Sequence, residues 1–172
     1  MANLIPISTV VVGSGGASSI DFNNIPQGYT DLKIVCSTRS DSPNVYEYNA
    51  IRFNGNSSAI YTQRHVRGSG TTATSGTDTN ATAIPPQMGT GGGATSNTFS
   101  NTEFYIPNYT SSNNKSVSID SVGENNATAA YAGLNAAIWA SSNSITSATI
   151  FPLDGPNFVQ HSTATLYGIR KY

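Results

Sequence analysis

The sequence predicts an all-β protein: an antiparallel β-sandwich of jelly-roll type with one long Gly/Thr-rich loop. Three observations predict it. The runs 29–39 and 162–171 alternate apolar and polar residues with the period of two that marks a half-buried strand. About ten such short runs are separated by Gly, Asn, Asp, Ser and Pro, the residues of turns. The composition is poor in helix formers: Ser, Thr and Asn supply 61 of 172 residues, Glu only three, and charged residues only 10%. Two sheets that cover each other are the simplest way to bury so many one-sided strands.

Taken along the chain, strands are expected at 7–12 and 18–22, with Gly13-Ser14-Gly15 as the turn between them. The next strand, 29–39, points Leu32, Ile34 and Cys36 to one side and Asp31, Lys33, Ser37 and Arg39 to the other. Strands at 49–54 and 59–66 follow, joined through Asn54-Gly55, a pair that accepts the left-handed backbone of a tight turn. Residues 68–98 break the rhythm. They hold seven Gly, nine Thr and Pro85-Pro86, and read as a long loop or arm. Its one apolar island makes Ile84, Pro85, Pro86 and Met88 the expected contact residues for a partner. Such an arm should be dispensable for folding, so removing residues 70–95 should leave the sandwich intact.

Beyond the arm, strands are expected at 102–107 and 116–122. The Ala-rich run 127–140 could be a helix, but Gly133 and Asn135 in its middle favour a strand. That strand would put Tyr131, Gly133, Asn135 and Ala137 on one face, and Leu134, Ala136, Ile138 and Ala140 on the other. Strands at 145–151 and 162–171, around the turn signal Asp154-Gly155, complete the set. The whole of 1–172 is expected to form a single domain, which at this length can bury roughly 70% of its unfolded surface.

Chemistry is sparse. The lone Cys36 cannot form an internal disulfide and sits among apolar neighbours, as a small buried hydrophobe does. His65 and His161 have no Cys or carboxylate at metal-ligand spacing, so neither a metal nor another cofactor is expected. No Gly-x-Ser-x-Gly elbow marks a nucleophile. Gly89 to Gly93 is Gly-rich but lacks the lysine of a phosphate loop. Glu47, Glu103 and Glu124 are scattered, with no spacing that marks an acid pair. Arg39, Arg52, Arg64 and Arg67 are expected on solvent faces, paired with Asp31, Asp41 or Glu47. A net charge of −1 offers no basic surplus for nucleic acid, and no run approaches the ~18 apolar residues of a membrane helix. No catalytic residue is expected. The N-terminal residues lack the basic and apolar regions of a signal peptide, so synthesis in a cytoplasm without export by that route is expected. Five Asn-x-Ser/Thr sequons then carry no meaning as glycosylation sites.

Two stretches carry a resemblance. Ser19 to Ile34 (SIDFNNIPQGYTDLKI) is followed by Ser37-Thr38-Arg39-Ser40 and by Ile51-Arg52-Phe53-Asn54-Gly55. Near the end stand Asn157-Phe158 and Ser162 to Ile169 (STATLYGI). Together these are similar to small β-sandwich virion proteins of tailed bacteriophages, over about half the chain, with 68–98 outside the match. The resemblance implies a structural virion protein, made in the bacterial host: a capsid decoration or knob protein on the head surface, held to the major capsid protein or other virion proteins. It implies a homo-oligomer, most simply a trimer on threefold lattice positions, and no catalytic residues. The alternative it leaves open is a host-recognition module of a tail or head fibre that binds cell-surface glycans through exposed Tyr, Asn and Trp139. A third hypothesis, an enzyme such as a glycan depolymerase working through Glu47, Glu103 or Glu124, is not expected, because no acid pair is marked by spacing.

Overall fold

A computed structural model describes residues 3–126 and 129–170, with the side chains of residues 86 and 87 outside the described set. The described chain contains twelve strands and no helix. In order they are β1 (Asn3–Val11), β2 (Ile20–Phe22), β3 (Asp31–Thr38), β4 (Tyr46–Phe53), β5 (Tyr61–Ser69) and β6 (Thr72–Ala81). They continue with β7 (Ile84–Thr90), β8 (Ser100–Pro107), β9 (Lys115–Gly123), β10 (Tyr131–Trp139), β11 (Ala148–Pro152) and β12 (Thr163–Arg170). Every strand expected from alternation is present, including β10 in the Ala-rich run. Residues 127, 128 and 171, at the margins of two expected strands, lie outside the described residues.

The strands form two antiparallel sheets, as the sequence predicts. The larger has the order β1-β12-β3-β8-β9-β10-β5-β6, and the smaller β2-β11-β4-β7. Two packed antiparallel sheets of eight and four strands make the expected β-sandwich; its assignment to the jelly-roll type rests on the sequence. The apolar positions of each strand meet between the sheets. Leu32, Ile34 and Cys36 of β3 face Ile20, Ile51, Phe53 and Ile150 of the small sheet within one buried cluster. Trp139 lies fully buried beside Phe53 and Tyr61, with ring centroids 5.7 and 6.4 Å apart.

The largest correction concerns 68–98. Most of it is not a loop: β6 pairs along β5, and β7 pairs with β4 and packs across β8, β9, β10 and β5, leaving 91–98 as the loop that follows. Ile84, Pro85 and Met88 are buried, so they are core residues and not contacts of an arm. The side chain of Pro86 lies outside the described residues. Thr supplies the β-branched stiffness that lets a polar run form a strand.

The Gly run has a packing reason. The amides of Gly91, Gly92 and Gly93 donate to the carbonyls of Val45, Ser42 and Asn44 at 3.0, 2.6 and 2.9 Å. A Cβ at Gly91 or Gly93 would stand 2.2 or 2.3 Å from the carbonyl oxygens of Asn44 or Pro43. Only glycine allows two backbones so close.

Asn54 and Gly55 both have positive φ, 52° and 63°, and Asn56 N–H closes the turn on the Phe53 carbonyl at 2.9 Å. Two left-handed residues in sequence make the type I′ geometry that Asn-Gly favours. The Asn54 side chain then holds residues 144–147, accepting from the amides of Thr146 and Ser147 and donating to the Ser144 carbonyl.

Candidate functional site

The groups weighed for catalysis do not converge. Glu47 is buried in the small sheet, with Oε1 on the amide of Tyr48. Glu103 lies on the outer face of the large sheet, 2.7 Å from the Lys33 ammonium. Glu124 stands beyond β9 and accepts from the amide of Asn126. His161 lies in a turn with φ 73°, far along the chain from His65 on β5. Among the described residues no three His, Cys, Asp or Glu side chains gather as metal ligands. Among the described residues no helix is long and apolar enough to cross a membrane.

One interior cluster contains the residue types of a catalytic site. Asn135 donates to Gln63 Oε1 at 2.9 Å, Gln63 donates to Asp78 at 2.8 Å, and His65 Nδ1 lies 3.7 Å from the same Asp78 oxygen. Ser121, Arg67 and Met88 join His65 and Asn135 around a cavity of about 10 Å³. That is the size of one water and leaves no room for a substrate. The His65 ring lies against Gly76 of β6, where a Cβ would meet its Cε1 at 2.6 Å. The cluster ties β6 to the sheet; it does not present a reacting atom.

The arginines also differ from expectation. None of the four pairs with Asp31, Asp41 or Glu47. Asp31 is covered, although it lies on the outward side of β3, and it accepts from the Tyr105 hydroxyl and the Asn108 amide. Asp41 accepts from the amide of Asn157. Arg39 instead gathers the carbonyls of Gly92, Ala94, Thr95 and Thr98 at 2.8–3.0 Å, so it holds the 92–98 loop. Arg52 reaches the Thr82 carbonyl and lies over Phe151, and Arg67 reaches the Tyr48 hydroxyl.

For a glycan, Trp139 is out of reach in the core. Half-exposed aromatics lie elsewhere: Tyr46 meets Tyr48 and Tyr131 edge to face, with centroids 5.6 and 5.1 Å apart, beside Arg67.

The outstanding surface is the outer face of β8, β9, β10 and β5. On β10 the inward residues are Asn135, Ala137 and Trp139, so Leu134, Ala136 and Ile138 face solvent. Leu134 is 58% exposed, Val66 beside it on β5 is 50%, and Ile138 and Val122 are 43% and 41%. The small residues Ser116, Ser118 and Ala136 leave a shallow hollow of about 600 Å³ next to Tyr105, Pro107 and Ile138. A second hollow of about 400 Å³ lies between Val66, Ala132 and Leu134. With Tyr105 of β8, these side chains form an exposed apolar row across β5, β10, β9 and β8.

The signal for this surface was present in the alternation of 127–140. Both faces of that run carry apolar residues, which a strand with one solvated face does not need. Alternation alone does not say which face is covered, and the volume of Trp139 decides it. Comparison of the chain with protein-family models, curated proteins and solved structures finds no match.

Proposed function

We propose that this chain is a structural, adhesive module of a phage virion, of the capsid decoration or knob type. It works by burying the outer face of the large sheet against neighbouring subunits of the particle, and no step of bond chemistry is involved. The observation that carries this reading is the apolar row Val66, Leu134 and Ile138 standing exposed together on one sheet face, with Val122 and Tyr105 on the strands beside it. Burying such side chains contributes about 25 cal/mol per Å² removed from water. Repeated over many copies, binding to the assembled shell alone stabilises that shell by mass action. The neutral Ser/Thr/Asn surface keeps the chain soluble before assembly. The major capsid protein or other virion proteins are the partners.

The test is quantification of the chain in purified particles. Copies on the scale of the capsid lattice are expected. Absence from the particle overturns the reading. A copy number on the scale of a few fibres transfers the chain to the second reading, a glycan-binding fibre module. The Tyr46, Tyr48 and Tyr131 cluster beside Arg67 favours that second reading, because aromatic faces stack on sugar rings.

A further inference from the structure

We infer that the outer face of β10 is the twofold interface between two copies of this chain. The inference rests on the adhesive reading above and names the occupant of the same face. Its first support is the charge pattern around the apolar row. Arg64 on β5 stands directly across from Ala136 of β10, and Asp120 on β9 directly across from Leu134. The two charges thus flank β10, one strand away on either side.

Neither charge is matched by an ion pair among the described residues. The Arg64 guanidinium donates only to the carbonyl of Gln63, at 3.2 Å, and has no carboxylate partner among the described residues. Asp120 has no ion pair among the described residues, and it lies directly opposite Glu103 of β8. Like charges opposite one another across strands are unfavourable. Lys33, 2.7 Å from Glu103, serves only one of the two carboxylates. The β8–β9 side therefore lacks one cation, and the β5 side holds one to spare.

Symmetry brings the two together. Rotation by 180° about an axis in the interface, parallel to β10, lays β5 of one copy over β9 of the other. Arg64 of each copy then comes about 7 Å along the strand, two residue positions, from Asp120 of its mate, within reach of a long side chain, and this happens twice. Leu134 lies near the axis and meets its own counterpart. An axis perpendicular to β10 in the same plane lays β5 over β5 and β9 over β9, and sets like charges together. The charges thus select one orientation, while the apolar row supplies the contact. With β6 added to the four strands of the face, β8-β9-β10-β5-β6 centre on β10, and five strands ~4.8 Å apart with about eight residues of ~3.4 Å each give a plane on the order of 650 Å². Its corrugated accessible surface is larger, close to the ~800 Å² that each partner contributes to a standard interface.

The expected stoichiometry is a dimer, in place of the trimer that lattice symmetry suggests. The experiment is sedimentation equilibrium on the full chain, with Arg64→Asp, Asp120→Arg, the double exchange and Leu134→Lys, each checked by circular dichroism for the native β spectrum. The wild type is expected to dimerise, and each single charge reversal to weaken the dimer by about tenfold through its two symmetric contacts. The double exchange, which restores opposite charges across the axis, returns the affinity toward wild type. Leu134→Lys gives a folded monomer. A wild type that stays monomeric at its highest soluble concentration, a trimer, or a double exchange no better than its singles overturns the inference. If the wild type is monomeric and Leu134→Lys still abolishes attachment to particles, the face takes a different virion protein. In that case the adhesive reading survives and the twofold interface does not.

Discussion

Arg39 does more for this fold than its place on a strand end suggests. Its guanidinium gathers four carbonyls and the Thr98 hydroxyl, which fixes a loop that has no strand partner of its own. Arg39→Ala should cost about 2 kcal/mol and leave the carbonyls to water. Urea unfolding checks this, and proteolysis should then cut first within 92–98. Cys36 makes a second residue-scale prediction. Burial pushes its thiol from 9.0 up to about 12. Above pH 9 the unfolded chain releases this proton while the folded chain keeps it. The contribution to stability is complete below pH 9 and is lost as pH rises toward 12, at about 1.4 kcal/mol per unit. The stability of the wild type should therefore fall more steeply than that of Cys36→Ala across this window; parallel profiles would contradict the assignment. Cys36 was legible in the sequence because its neighbours alternate. The role of Arg39 was not, since its partners are backbone carbonyls more than fifty residues away and leave no pattern in side-chain types.

At the scale of elements, β6 and β7 decide what the middle of the chain is for. Ile84 and Met88 sit in the core, and β7 bridges the two sheets. Deleting residues 70–95 removes both strands and exposes the inner faces of β4, β5 and β10. The shortened chain should lose cooperative unfolding and collect in inclusion bodies. A soluble product with the wild-type melting temperature would contradict this placement of β7. The milder Ile84→Ala should remain folded and lose about 2–5 kcal/mol. Ten strands were legible because apolar residues recur at period two and turn residues bound them. β6 was hidden because both of its faces are polar: Thr, Ser, Asn and Asp are as frequent in loops as on an edge strand. β7 was hidden by Pro85-Pro86, a pair that argues against a central strand. β7 tolerates them as an edge strand with a register shift opposite Asn49 to Ile51.

At the scale of the molecule, the two edges and the outer face of the large sheet set how copies can meet. Edge β1 carries Pro6 and a register shift between Pro6 and Ser8, which discourages strand addition there. Edge β6 ends in a register shift against β5 and carries Asp78. Both edges are guarded, while the face of β10 is bare. In the proposed dimer, association therefore runs through the face and not through open-ended edge pairing. The sequence held the apolar row of β10 in plain view; it could not show that Trp139 takes the interior and turns the row outward.

The most direct measurement is hydroxyl-radical footprinting of the chain in the phage particle proposed to hold it, read against the isolated polypeptide in denaturant. Val11 and Leu134 make a matched pair, at 62% and 58% exposed in the folded chain. The account predicts that Leu134, Val66 and Ile138 are protected while Val11 and Leu4 stay reactive. Leu134 as reactive as Val11 in the assembled particle would contradict it.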